Sequence, residues 1–76
     1  MRYVRLEWLA AEVMDGLPSA AARSTVQDLI VDVAKRPDRW PTPGGEDVVD
    51  VFGSRCWVSY VAYRDGLEVR DIGWAG

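Results

Sequence analysis

The chain has no histidine and a single cysteine, Cys56. Without an imidazole and with only one thiol, it has no ligand cluster for zinc, no internal disulfide, and no histidine to activate Ser54, Ser59 or Cys56 as a nucleophile. Lysine is nearly absent too, since eight of the nine cations are arginine and Lys35 is the exception. Arginine suits planar, bidentate and stacked contacts, so a local arginine patch can matter whatever the overall charge. No apolar run approaches the roughly 20 residues of a membrane span. The start, Met1-Arg2-Tyr3-Val4-Arg5, has no apolar leader core, so a cytoplasmic location without membrane contact is expected. There is no glycine-rich phosphate loop, and Gly44-Gly45 reads as a turn.

What is present is a short chain of 76 residues, 49% of them apolar, with four tryptophans. A domain of this size buries only about 60% of its unfolded surface. Added stability then has to come from a partner chain, and the apolar excess leaves surface for a homodimer or for a partner helix laid in a groove. The formal charge of −3, from nine basic and twelve acidic residues, repels nucleic acid and the ribosome on the scale of the whole molecule. The acidic residues Glu46, Asp47 and Asp50 read as a solvated loop and strand edge rather than a Mg²⁺ site, so no metal or other cofactor is implied.

Periodicity divides the chain into one α+β domain over residues 1–76. Tyr3 to Leu6 is short and extended. Leu6, Leu9, Val13 and Leu17 then recur at helical spacing until Gly16-Leu17-Pro18 ends the segment. Ser19 is placed to cap a second helix, whose stripe Val26, Leu29, Ile30, Val33 and Ala34 faces a core and leaves Asp28 and Asp32 in water. Lys35 and Arg36 complement the end of that helix, and Pro37 stops it. Residues 37–47 hold three prolines and two glycines, an exposed loop with Trp40 as its large apolar anchor. Val48 to Phe52, Arg55 to Tyr63 and Leu67 to Trp74 read as strands, the last two joined by a type I′ turn at Asp65-Gly66.

With Asp65 and Gly66 as the loop, Arg64 pairs with Leu67 and Trp57 faces Trp74. Alternation then puts Cys56, Val58, Tyr60, Ala62, Leu67 and Val69 under the helices. Cys56 is thereby a buried structural thiol. The opposite face receives Arg55, Trp57, Ser59, Val61, Tyr63, Glu68, Arg70, Ile72 and Trp74. Trp57 and Trp74 there read either as a cross-strand aromatic pair that stabilises the hairpin or, with the arginines, as a protein-binding or base-stacking surface.

The order strand, helix, helix, strand, strand, strand resembles the RelE/ParE superfamily of bacterial toxins from toxin–antitoxin pairs. The segment Trp57 to Ile72, with its Val58-Ser59-Tyr60 core and its Val69-Arg70-Asp71-Ile72 return, looks like that family's last hairpin. The resemblance implies a twisted antiparallel sheet with two helices on one face and a concave working face on the other. It also implies an antitoxin or cellular protein as partner. Members that cut messenger RNA on the ribosome tend to be basic, with an arginine before the V-x-Y core and acid–base residues near the C-terminus. Here Trp57 precedes Val58, and the strand ends Gly73-Trp74-Ala75-Gly76. RNA cleavage by 2′-hydroxyl attack needs positive charge and proton carriers, roles left to Arg55, Arg70, Tyr63 and Glu68. The expected function is therefore protein binding through Arg55, Trp57, Ser59, Tyr63, Arg70, Ile72 and Trp74. An endoribonuclease is the alternative, and an unrelated small accessory protein of the same layout is a further one.

Overall fold

The computed structural model describes residues 3–76, so Met1 and Arg2, part of the start read above for a leader, lie outside the described residues. The elements follow the expected order: β1 (Tyr3–Leu6), α1 (Trp8–Asp15), α2 (Ala20–Ala34), a 3₁₀ turn (Pro37–Arg39), β2 (Val49–Phe52), β3 (Cys56–Tyr63) and β4 (Gly66–Trp74). The sheet has the order β1-β4-β3-β2. Tight connections make β2, β3 and β4 antiparallel, whereas β1 runs parallel to β4. The sheet is thus mixed rather than wholly antiparallel. The physical reason is the connection: the two helices between β1 and β2 form a long crossover, which frees the first strand from the alternation that hairpins impose.

Both helices pack on one face. Ser19 Oγ accepts a hydrogen bond from the Ala22 amide at 3.1 Å, fixing the start of α2. One core cluster joins Ala22, Val26 and Ile30 of α2 to Cys56, Val58, Val69 and Ile72 of the sheet, and a second joins Val33 to Tyr60, Ala62 and Leu67. Leu29 packs against both clusters from a partly buried position. The predicted stripe of α2 is therefore the buried one.

The stripe of α1 is rotated by one residue from expectation, about 100° of helix. Ala10, Met14 and Leu17 are buried, Val13 is half-buried, and Leu9 faces out. The spacing Ala10, Val13, Met14, Leu17 satisfies the same pattern as the predicted one, and the small Ala10 side chain lets α1 lie close to the sheet.

Trp40 is anchored on the helix side. Its indole Nε1 donates to the Val33 carbonyl at 2.8 Å, and its ring packs on the second cluster with Val49 and Val51. Residues 37–47 are consequently tied to the end of α2. Gly44 and Gly45 also donate to the Ala62 carbonyl, each at 3.1 Å.

Ile30→Ala removes side-chain atoms from the first cluster and is expected to destabilise the fold by about 2–5 kcal/mol. A urea melt measures this; a midpoint equal to the parent's would contradict the packing described.

Candidate functional site: the open face of the sheet

The face away from the helices is set by the register of β3 and β4. Tyr63 pairs with Gly66, so the loop residues are Arg64 and Asp65 rather than Asp65 and Gly66. Neither loop residue has a positive φ, which excludes the type I′ turn. Gly66 serves a different purpose: a Cβ there would collide with the Tyr3 carbonyl, so the glycine lets β1 cross close beside the hairpin. The two-residue change of register keeps side chains on their expected faces near the turn.

A β-bulge then changes the faces further along. Tyr60 pairs with Val69 but Ser59 pairs with Asp71, which leaves Arg70 as the extra residue. Beyond it, Trp57 faces Gly73 and Cys56 faces Trp74. Ile72 is buried among the helices and Trp74 packs against the same cluster, so both leave the open face where simple alternation had put them. The Asp71 carboxylate accepts the Ile72 amide at 2.9 Å, satisfying a backbone group next to the bulge. One cost remains, since the buried Trp74 Nε1 finds no acceptor among the described residues.

Arg55 also departs from expectation. It lies in the turn between β2 and β3 with φ 65°, and its aliphatic stem rests against Gly76. Its carbonyl accepts the Ala75 amide at 2.7 Å. There it borders a hollow of about 400 Å³ with Ser19, Thr25 and Trp74 at the start of α2, on the helix side. The left-handed turn takes Arg55 out of the strand's alternation.

What remains on the open face falls into two parts. Glu68 is 9% exposed, and each of its carboxylate oxygens accepts from a different arginine, Oε2 from Arg5 and Oε1 from Arg70 Nε at 2.7 Å. Arg70 Nε also lies 3.6 Å from Glu7. The hydrogen bond from Arg5, followed by that from Arg70, holds the Glu68 carboxyl below the usual carboxylate range against the opposing effect of burial. In return Glu68, and after it the Tyr63 hydroxyl, hold Arg70 more firmly protonated. Val61, opposite Glu68, is fully buried on this face. The first part is thus a charge-neutral network of two arginines and two glutamates.

The second part is aromatic and acidic. Trp57 is 37% exposed and pairs with Phe52, which is 74% exposed. The Trp57 ring lies over Gly73, where a Cβ would fall inside the ring's own volume. Ser59 donates to Asp50, and Asp71 stands exposed across from Ser59. Of the sequence-predicted residues, Trp57, Ser59, Tyr63, Glu68 and Arg70 are brought together here; Arg55, Ile72 and Trp74 are not. Sequence reasoning missed Arg5, Glu7, Asp50 and Phe52. Alternation in β2 could have given Asp50 and Phe52, but Arg5 and Glu7 need the parallel pairing of β1, for which there is no local signal. Cys56 lies in the core, where burial pushes its thiol pKa up.

Compared with protein-family models, curated proteins and solved structures, the chain matches none of them. No helix among the described residues is long and apolar enough to cross a membrane.

Because the folded-state pKa of Glu68 lies below its unfolded value, its stabilising effect is present above the ordinary carboxylate range and is lost as pH falls through the folded-state pKa. Glu68→Gln should therefore be less stable than the parent at neutral pH, with the gap closing in acid. Unfolding midpoints across the acid range test this, and a gap independent of pH would contradict it. Gly73→Ala forces the Trp57 ring aside and should cost about 1–3 kcal/mol, as overpacking does. Adding Trp57→Ala should return most of that loss in a double-mutant cycle.

Proposed function

We infer that the chain is a RelE/ParE-like toxin component, or a non-catalytic relative of one, that acts by gripping a protein through the open sheet face. Its partner is a cognate antitoxin or another cellular protein. The observation that carries this reading is the pairing in register of two exposed aromatic residues, Phe52 of β2 and Trp57 of β3, on a face that neither helix covers. Aromatic side chains presented from adjacent strands supply large contact area, as at the centre of protein interfaces.

The charge arrangement supports the same reading over an endoribonuclease. Phosphoryl transfer requires cations free to meet the developing dianion. Arg5 and Arg70 are instead engaged by Glu68 and Glu7, and Arg55 stands on the helix side of the molecule. The exposed acids beside the aromatic pair, Asp50 and Asp71, repel a phosphate backbone and suit a protein partner.

Programmed ribosomes incubated with the purified protein are expected to yield no specific mRNA cuts. Inducing the chain in a bacterial host, while growth, RNA integrity and DNA supercoiling are followed, tests the toxin role directly. Any growth defect should disappear with Phe52→Ala or Trp57→Ala, at unchanged circular dichroism, and persist with Arg55→Ala. Specific cuts that vanish on Arg70→Ala would overturn the binding reading. Normal growth at high expression would contradict the toxin reading.

A further inference from the structure

The two edges of the sheet are not equally protected. β2 is one edge, and it carries the exposed Asp50 with Glu46 and Asp47 in the segment leading to it. Charge of this kind discourages a strand edge from pairing with another chain. β1 is the other edge. The Tyr3 amide donates to Asp65 at 3.0 Å and the Glu7 amide to Val69 at 2.9 Å, so residues 3, 5 and 7 direct their backbone groups toward β4. Alternation turns the amide and carbonyl groups of Val4 and Leu6 outward. The Trp8 amide follows the same direction and, in the first turn of α1, has no acceptor within the helix. Apolar side chains accompany these groups: Val4 is 41% exposed and Trp8 is 68% exposed.

We propose that β1 pairs antiparallel with β1 of a second copy of the chain, in the register that puts Arg5 opposite Glu7 and Leu6 opposite itself. Residues that face each other across an antiparallel pair share a face of the sheet, so among the described residues of this segment Arg5 can meet Tyr3, Arg5 or Glu7 of the second copy. Charge chooses among the three. Arg5 opposite itself sets like charges side by side, and Tyr3 offers no counter-charge. Glu7 gives two symmetric pairs of opposite charge that extend the Glu68 network across the two-fold axis. The same register puts Val4 of each copy beside Trp8 of the other, which covers the exposed apolar residues on the helix side. Every residue it uses belongs to 4–8. The product is one continuous sheet built from two four-stranded halves, with both open faces on the same side.

Sedimentation of the chain from low micromolar to submillimolar concentration tests the association, together with Val4→Lys and Trp8→Ala. Both substitutions fall at exposed positions, and circular dichroism verifies that the fold is kept. The natural chain should form a dimer, and each variant should weaken it by roughly tenfold or more, as loss of a hot-spot side chain does. Register is read separately by oxidative cross-linking. Leu6 faces its own copy, with Cα atoms about 5.5 Å apart in a hydrogen-bonded pair, a separation a disulfide spans. Leu6→Cys should therefore give a covalent dimer, and Arg5→Cys should not. A monomer at every concentration overturns the proposal, as does a dimer equally tight in both exposed-site variants or a cross-link formed by Arg5→Cys and not by Leu6→Cys.

Discussion

The extra residue in β4, Arg70, decides what each face of this sheet contains. A two-stranded ribbon without it would alternate uninterrupted from Leu67 to Trp74 and send Ile72 and Trp74 to the open side. With it, Val69 and Ile72 both reach the first core cluster although they are three residues apart. The core gains the far end of β4, Ile72 and Trp74. The open face keeps Arg70 next to Glu68 and gains Asp71 next to Ser59 and a bare Gly73 for the Trp57 ring to lie on. In so small a domain, where each buried apolar side chain is a sizeable share of total stability, bringing Ile72 under the helices is a substantial gain. An indole N–H of Trp74 that finds no acceptor among the described residues is the price.

Arg70 also shapes the chemistry the open face can support. By extending beside Glu68, Arg70 joins Arg5 in neutralising a carboxylate that would otherwise be buried without a partner. Those two arginines are committed to structure. With their charge balanced by Glu68 and Glu7, the exposed character of the face comes from Phe52, Trp57, Asp50 and Asp71. Its acidic border repels a phosphate backbone, which is the charge basis of the protein-binding proposal.

Much of the architecture is legible in the residues. Ser19, the Val26–Val33 stripe, Pro37 and the three β-branched strands name their elements because each signal is local and chemically specific. The parts that escape are those where distant segments meet. The Asp65-Gly66 pair reads as a type I′ turn, yet Gly66 is required by the backbone of Tyr3, far away in sequence. The stripe of α1 is ambiguous because Leu9 and Ala10 both begin a periodic run, and only the closeness of the sheet selects the smaller residue. Alternation identifies Trp57, Ser59, Tyr63, Glu68 and Arg70 as neighbours. It fails at Ile72 and Trp74 because a bulge leaves no mark in composition, and at Arg55 because a left-handed turn residue does not alternate.

The most direct test of the bulged register is the proton neighbourhood of Trp57 in solution. Nuclear Overhauser effects should connect the Trp57 indole protons to the Gly73 α-protons, while the Trp74 ring shows contacts to side chains on the helix side such as Ala22. Cross-peaks between the Trp57 and Trp74 rings, with none to Gly73, would mean that alternation runs unbroken through β4, and the division of the sheet into a packed face and an aromatic, acidic one would be wrong.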